Sequence, residues 1–229
     1  MAFDFEAGEV ILIDKPLEWT SFDVVKKIRN AIRLKKIGHA GTLDPLATGL
    51  LILCTGKKTK SIDSYQAQEK EYTGTFVIGA TTPSFDLETE VTVSGDWTTI
   101  TEKAIYATAQ AMIGAQQQIP PMFSAVRVDG VRLYTLARKG EEIEIKPRPI
   151  DILAFEITQI ELPVVGFRIK CSKGTYIRSI ARDFGETLNV GAYLSSLRRT
   201  KIGDFDLKDA YTVADFIDLI KISKPSLNP

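Results

Sequence analysis

Histidine and cysteine are scarce in this chain, which has one His and two Cys among 229 residues. The cysteines, Cys54 and Cys171, are far apart in sequence and lack the C-x-x-C or Cys/His spacing of a zinc or redox site. Such isolated cysteines are usually buried, reduced thiols. The sequence therefore predicts no metal site and no redox cofactor.

Long apolar runs are also missing, because no run approaches the ~20 residues that a membrane-spanning helix needs. The segment from Met1 to Glu6 is acidic, whereas a secretory signal peptide begins with basic residues. The hydrophobic content of 44% and the charged content of 25% are typical of a globular protein with a proper core. We therefore expect a cytoplasmic protein that does not associate with membranes.

The net charge is zero, with 29 basic and 29 acidic residues, which by itself argues against a nucleic-acid-binding protein. The charges are nevertheless segregated along the chain. Residues 24–60 hold nine bases and one acid, and residues 167–201 hold eight bases and two acids. Such basic blocks are typical of a surface that binds a polyanion, but solvated helix faces explain them equally well.

A glycine-rich loop, residues 38–49, contains a single carboxylate, Asp44, and the only histidine, His39. Pro45 disfavours helical backbone at the residue before it, so Asp44 is expected on an extended segment. The apolar run that follows, residues 50–54, predicts a buried strand. An Asp-Pro pair usually marks a plain turn, but the apolar neighbours of Asp44 and the nearby histidine favour a functional carboxylate.

Hydrophobic periodicity and turn residues outline the secondary structure. Strands are predicted at residues 10–13, 71–79, 126–133 (a hairpin with an Asp-Gly turn), 150–162 and 167–171. Helices are predicted to start at the N-caps Ser21, Thr101, Thr175 and Thr212. Strands outnumber helices and most are joined by short turns, which indicates an α+β protein with a largely antiparallel sheet.

Arg178 would lie in the first turn of the helix that Thr175 starts. A cation there opposes the helix dipole by roughly 0.3–1 kcal/mol. Because local rules tend to be broken at functional sites, Arg178 is a candidate functional residue. The alternative is a surface or ion-pairing arginine.

Four segments of the chain resemble the TruB family of tRNA pseudouridine synthases. They are Leu12–Pro16 with Thr20 and Ser21, Gly38–Gly49, Lys70–Tyr72, and Cys171–Arg178 with Leu197–Arg199. They occur in the order found in the family and span nearly the whole chain. The second and fourth segments are long enough that the probability of a chance match is negligible.

The resemblance implies the pseudouridine synthase fold, in which a mixed, mainly antiparallel central sheet is flanked by helices and carries a catalytic cleft across its face. An insertion at about residues 120–150 would grip the RNA. The resemblance also implies a single catalytic domain over residues 1–229, without the separate C-terminal PUA domain that many relatives carry.

The implied reaction isomerises the T-loop uridine of tRNA, position 55 in the tRNA convention, to pseudouridine after base flipping, without cofactor or metal. On the family pattern Asp44 is the catalytic nucleophile, and it attacks either the uracil ring or the ribose C1′. Arg178 would pair with Asp44. Three further residues would surround the base: Tyr72 packed against it, Tyr176 lining the pocket, and Leu197 in the apolar wall.

Contacts to RNA are implied for His39, Lys15, Arg127, Arg132, Lys173 and Arg198. Lys15, together with Pro16, is also interpreted as a structural support of the cleft. The implied partner is the T-arm of tRNA, and we expect a monomer with no obligatory protein partner.

The chain departs from the family pattern at Thr82–Asp86, where many relatives have Thr-Asp-Thr before the same aspartate. Asp86 is therefore given no catalytic role. Three alternatives remain open: a synthase directed by a separate guide RNA, an RNA-folding module, and a phosphate-binding metabolic enzyme. The presence of Asp44, Tyr72 and Arg178 argues against a folding module without catalysis, and only glycine-rich loops favour the metabolic enzyme.

Overall fold

The computed structural model describes residues 3–128, 130–141 and 143–223. Its helices are α1 (Ser21–Ile32), α2 (Ile62–Gln66), α3 (Glu102–Ala111), α4 (Leu133–Ala137), α5 (Ile177–Thr187) and α6 (Val213–Ser223). Its strands are β1 (Val10–Lys15), β2 (Ile37–Ala40), β3 (Ala47–Thr55), β4 (Lys70–Ile78), β5 (Ala80–Thr81), β6 (Thr92–Val93), β7 (Gly114–Gln118), β8 (Arg127–Val128), β9 (Val131–Arg132), β10 (Arg148–Glu161), β11 (Val164–Cys171), β12 (Ala192–Ile202), β13 (Phe205–Asp206) and β14 (Tyr211–Thr212). None of the helices in these ranges is long and apolar enough to cross a membrane.

The chain divides into two compact units, one made of Met1–Tyr72 and Arg198–Pro229 and the other of Thr73–Leu197. In the first unit the strands are hydrogen-bonded in the order β14-β1-β3-β12, with β2 also paired to β3 and β13 to β12. In the second unit the order is β4-β11-β10-β7. Strand β1 is parallel to β14, whereas β1 with β3 and β10 with both β7 and β11 are antiparallel. The predicted α+β class with a mixed, mainly antiparallel sheet is confirmed.

Helix α1 starts at Ser21 because a capping box closes its N-terminus. The Thr20 hydroxyl accepts a hydrogen bond from the Asp23 N–H at 3.0 Å, and the Asp23 carboxylate accepts one from the Thr20 N–H at 2.9 Å. The prediction that Ser21 is the N-cap is therefore wrong by one residue. A buried apolar stripe at helical spacing packs α1 into one cluster with β1, β3 and α6. The stripe consists of Val24, Val25, Ile28 and Ile32.

Strand β3 is buried at every position except the partly exposed Thr48. Leu51 and Leu53 belong to the apolar cluster with α1 and α6, whereas Leu50 and Ile52 belong to a second cluster. Successive side chains of a strand point to opposite faces, so both faces of β3 are covered. The buried strand predicted after the Asp44 loop is confirmed, and it gives that loop a rigid base.

Aromatic rings from β4, β10, β11 and α5 pack together in the core of the second unit. They are Phe76, Phe155, Phe167 and Phe184, and the rings of Phe76 and Phe167 are stacked with centroids 4.2 Å apart. Helix α5 is anchored on this cluster through Phe184.

The N-cap of α5 is Tyr176, so the prediction of Thr175 is wrong. The Thr175 hydroxyl instead donates to the Ser172 carbonyl at 2.9 Å and closes the preceding turn. The caps predicted for α3 and α6 are confirmed, since the hydroxyls of Thr101 and Thr212 each accept a hydrogen bond from a backbone N–H in the first helical turn. Strands β8 and β9 form the predicted hairpin, although Asp129 of its turn lies outside the described residues.

Gly49 in β3 allows the close approach of β12. A Cβ there would lie 2.8 Å from the backbone nitrogen of Arg199 and closer still to its carbonyl oxygen, and the φ of Gly49 is +102°. Gly114 has a nearly equal φ of +105°, but a Cβ there would meet no described atom within 4 Å.

We expect Gly114→Ala to lower the free energy of unfolding by ~1–2 kcal/mol, the cost of a side chain at positive φ. Gly49→Ala should lower it by a further ~1–3 kcal/mol, because the added methyl group meets backbone that cannot turn aside. Urea denaturation of both variants measures the difference. Equal losses of unfolding free energy in the two variants would show that β3 and β12 can move apart without a cost in stability.

Candidate active site

Asp44 lies in the loop between β2 and β3, two strands that pair antiparallel with Ala40 opposite Ile52. Its side chain is half-buried, although Leu43 before it is buried and Pro45 after it is exposed. The apolar neighbours of Asp44 therefore bury it only in part. Asp44 thus keeps part of its surface in solvent.

Hydrogen bonds to α1 and to the segment before it anchor the loop on both sides of Asp44. The Ser21 hydroxyl accepts from the Leu43 N–H at 2.9 Å and donates to the Leu43 carbonyl at 3.2 Å. On the other side, the Glu18 N–H donates to the Pro45 carbonyl at 2.9 Å. Because both neighbours of Asp44 are tied to other elements, its backbone is held in one position.

Lys15, at the end of β1, is completely buried beneath this loop. Its ammonium group donates to the carbonyls of Pro16, Trp19 and Pro45 at 2.9, 2.5 and 3.3 Å. Burial lowers the pKa of Lys15 to about 8, and the Asp44 carboxylate opposes this shift. Lys15 has no exposed surface with which to reach a phosphate, and the RNA contact assigned to it stays a prediction. Its contacts fit the other expectation, that Lys15 supports the site.

Arg199 in β12 is the residue of this site that sequence reasoning missed. Its side chain is buried, and its guanidinium donates to carbonyls of β3 and of the loop before Asp44. Burial lowers the pKa of Arg199, and the nearby Tyr72 opposes this shift. The available signal was strand alternation, since consecutive residues of a strand face opposite sides. One of the pair Arg198-Arg199 therefore had to point inwards.

Arg198 is on the other face of β12 and is partly exposed. Its guanidinium forms an ion pair with Asp14 at 2.6 Å and donates to the Thr48 hydroxyl at 3.2 Å. Arg198 thus connects β12 to β1 and β3 while keeping part of its surface in solvent. Its contact with RNA stays a prediction.

His39, in β2, is half-buried. Its buried Nδ1 has no hydrogen-bond partner among the described residues. Burial and, to a smaller extent, the positive charge of Arg199 lower the pKa of His39. We infer that the imidazole is neutral at pH 7, and its expected contact with RNA stays a prediction.

Arg178 is buried in the second unit, in the first turn of α5. Its guanidinium donates to the carbonyls of Ser84 at 3.2 Å and Phe123 at 2.8 Å, and its Nε is 3.6 Å from a carboxylate oxygen of Asp86. The buried Asp86 explains how a cation is tolerated at a helix N-terminus, and sequence reasoning gave this aspartate no role. The pairing of Arg178 with Asp44 stays a prediction.

Tyr176 and Leu197, also in the second unit, are both half-buried. The backbone of Tyr176 is clamped by the buried Gln118, whose side chain accepts from the Tyr176 N–H at 2.8 Å and donates to its carbonyl at 3.1 Å. Gln118 is a second positioning residue that sequence reasoning did not identify. The roles of Tyr176 and Leu197 at the base stay predictions.

Among the remaining residues predicted to contact RNA, Arg132 and Lys173 are exposed. The guanidinium of Arg132 lies 5.9 Å from the ring centroid of Tyr134 and donates to its hydroxyl at 3.2 Å, which lowers the pKa of Tyr134. The side chain of Arg127 lies outside the described residues. The exposure of Arg132 and Lys173 is compatible with binding to phosphates, and all three contacts stay predictions.

The cysteines are free and buried, as predicted. Burial raises the pKa of the Cys54 thiol to about 11. In the part of the chain that the structure describes, no three His, Cys, Asp or Glu side chains are grouped as metal ligands.

Two family models match the chain. One is described as the N-terminal domain of the TruB family pseudouridylate synthases and matches residues 29–177. The chain belongs to the TruB family. The other model, described as the C-terminal domain of tRNA pseudouridylate synthase B, matches residues 178–227.

Curated TruB-family relatives match over nearly the whole chain. A protein from Flavobacterium johnsoniae named tRNA pseudouridine synthase B is 56% identical over 93% of this chain and 96% of its own length. A protein of the same name from Chloroherpeton thalassium is 54% identical over 93% of this chain and 90% of its own length.

Solved structures of Cbf5 proteins share the fold. The chain matches one from an archaeal box H/ACA sRNP Nop10–Cbf5 complex with a TM-score of 0.72 and 27% identity, over 95% of this chain and 55% of the other. A Cbf5–Nop10–Gar1 complex gives a TM-score of 0.74 and 31% identity, over 93% and 54%. The chain spans about half the length of these Cbf5 chains.

The single histidine makes the electrostatics of the site measurable. We expect an NMR titration of the folded protein to give a pKa for His39 below 6.5, because burial disfavours the imidazolium. The urea-unfolded chain should titrate near its ordinary value of about 6.5.

The linkage between proton binding at His39 and folding gives the direction in which pH changes the free energy of unfolding. As the pH falls, His39 takes up a proton in the unfolded chain at a higher pH than in the folded chain, and this uptake favours the unfolded chain. The contribution of neutral His39 to the free energy of unfolding is therefore complete above about pH 6.5, and it is lost as the pH falls towards the pKa of the folded chain. His39→Gln should remove this part of the pH dependence. A folded pKa at or above that of the unfolded chain would contradict the expected burial.

Proposed function

We propose that this TruB-family chain isomerises the T-loop uridine of tRNA, at position 55, to pseudouridine, with Asp44 as the nucleophile. The family and the names of the curated relatives support the reaction and its tRNA substrate. The observation that carries the role of Asp44 is its half-exposed carboxylate on a loop whose backbone is held from below by the buried cations of Lys15 and Arg199.

The reaction rearranges bonds within the substrate. A carboxylate oxygen of Asp44 attacks either the uracil ring or the ribose C1′, and the N1–C1′ bond breaks. The base turns, a C5–C1′ bond forms, C5 loses its proton and N1 gains one, and Asp44 is released. Because no atom or electron is gained or lost overall, the reaction requires neither a redox cofactor nor a second substrate.

Access to the uridine requires that it leave the folded T-loop. An enzyme that acts on a base must flip it out of its stack, and aromatic side chains replace the lost stacking. Tyr72 and Tyr176 are the proposed aromatic contacts, with Leu197 in the apolar wall. Arg178, whose guanidinium is preorganised by Ser84, Phe123 and Asp86, is the proposed cation for Asp44.

Exposed basic residues would hold the T-arm by its phosphates in a salt-dependent way. Arg132 and Lys173 have the exposure that this role requires. With tRNA as substrate, the chain would act in the cytoplasm, without an obligatory protein partner.

We expect Asp44→Asn to lower the single-turnover rate of pseudouridine formation by at least ~1,000-fold, because a neutral amide is a poor nucleophile. The assay uses unmodified tRNA and contains EDTA, with no cofactor, guide RNA or second protein. Pseudouridine is mapped by position, and the Kd for tRNA is measured in parallel and should change little, because affinity comes from the basic side chains.

Asp63→Asn provides the matched control, since Asp63 is an exposed aspartate on α2 in the same unit. It should retain the wild-type rate and Kd. Near wild-type turnover by Asp44→Asn would reject Asp44 as the nucleophile. An inactive wild-type protein that gains activity with a guide RNA or a metal ion would reject the proposed function.

A further inference from the structure

We propose that Arg199 is a positioning residue for this reaction, whose buried guanidinium sets the place of the Tyr72 hydroxyl together with the backbone that leads into Asp44. The proposal rests on the function proposed above, because it assumes that Asp44 and Tyr72 act on the uridine. It adds a buried residue that binds the loop before Asp44 and lies near Tyr72, and that would not itself touch the RNA.

The guanidinium joins the loop to the strand behind it. Its Nε donates to the Leu50 carbonyl of β3 at 2.8 Å, while Nη2 and Nη1 donate to the carbonyls of Gly41 and Thr42 at 3.1 and 3.4 Å. Gly41 and Thr42 directly precede Leu43 and Asp44. One rigid side chain therefore sets the distance between the start of the catalytic loop and a fully buried strand.

The same guanidinium is close enough to the Tyr72 phenol for the two groups to interact electrostatically. Tyr72 is buried in β4, and its hydroxyl has a single proton to donate. A hydrogen bond from Arg199 to the phenol oxygen would make the O–H bond point away from the guanidinium. Arg199 would then orient the Tyr72 hydroxyl as part of its positioning role.

Arginine is suited to this task by the number and geometry of its donors. The guanidinium carries five N–H donors in a planar fork. Here three of the donors reach carbonyls, which leaves two for the phenol oxygen. A lysine has one nitrogen with three donors, so it cannot span the same acceptors.

The charge of Arg199 is compensated from the site itself. Burial lowers the pKa of Arg199, while the Tyr72 oxygen and the Asp44 carboxylate oppose this shift. A fully buried cation is stable only with such partners. The charge of the catalytic carboxylate and the position of Arg199 therefore depend on each other.

The backbone of Arg199 is placed as firmly as its side chain. A Cβ at Gly49 would collide with the backbone nitrogen and carbonyl of Arg199, so only glycine allows this approach of β3 and β12. The close packing of β3 against β12 therefore fixes the backbone that carries the guanidinium.

The test is a double-mutant cycle of Arg199→Lys and Tyr72→Phe, with single-turnover rates on unmodified tRNA. We expect Arg199→Lys to slow the chemical step by at least ~30-fold while the Kd for tRNA stays within ~2-fold, because the residue acts on the reacting groups and not on RNA binding. The double variant should retain a rate at least ~3-fold above the product of the two single effects, since both changes disturb one hydrogen bond.

Arg168→Lys is the matched control, because Arg168 is also a strand arginine but pairs with Glu156 at the surface. Its rate should stay within ~2-fold of wild type. The proposal is overturned if Arg199→Lys leaves the rate unchanged, or if it weakens tRNA binding and not the rate. It is also overturned if the rate of the double variant agrees within ~3-fold with the product of the two single effects. If the Asp44→Asn variant reacted at the wild-type rate in the same assay, the proposed function would be rejected instead.

A second measurement does not require that Arg199→Lys folds. Tyr72→Phe keeps the ring and removes the hydroxyl, and with it the proposed acceptor of the Arg199 hydrogen bond. In ¹⁵N-arginine-labelled protein, this change should shift the side-chain resonances of Arg199 and speed the exchange of its protons, while those of Arg168 stay in place. Unchanged resonances and exchange of Arg199 would overturn the proposal.

Discussion

Two buried cations hold the loop that presents Asp44, and the candidate site depends on them. Arg199 binds the carbonyls of Gly41 and Thr42 before the aspartate, and Lys15 binds the carbonyl of Pro45 after it. A buried charge is costly to desolvate unless hydrogen bonds and an opposite charge compensate it. The carbonyl groups and the Asp44 carboxylate supply both forms of compensation, so the backbone on either side of the carboxylate is fixed.

The second unit uses the same arrangement around Arg178. Its guanidinium is buried, binds the carbonyls of Ser84 and Phe123, and lies beside the carboxylate of Asp86. Each unit therefore contains an arginine whose donors are satisfied mainly by backbone carbonyls. This geometry preorganises a positive charge without leaving it free to rearrange.

Basic residues of this chain fall into two physical classes that a count of charges cannot separate. Lys15, Arg178 and Arg199 are buried and hold the backbone around the candidate catalytic groups, whereas Arg132 and Lys173 are exposed and available to phosphates. The zero net charge of the whole chain conceals both classes. Burial, rather than the local density of lysine and arginine, decides which of them can touch RNA.

The sequence by itself determined the elements, the α+β class and the family, and it singled out Asp44. These follow from local properties: apolar periodicity, turn residues, and motifs whose members are close along the chain. The tertiary structure decided the neighbours, placing Arg199 against Gly41, burying Lys15 beneath Pro45 and putting Asp86 beside Arg178. Contacts between residues so far apart in sequence depend on how strands pair and which face of each is covered, and no local pattern encodes that.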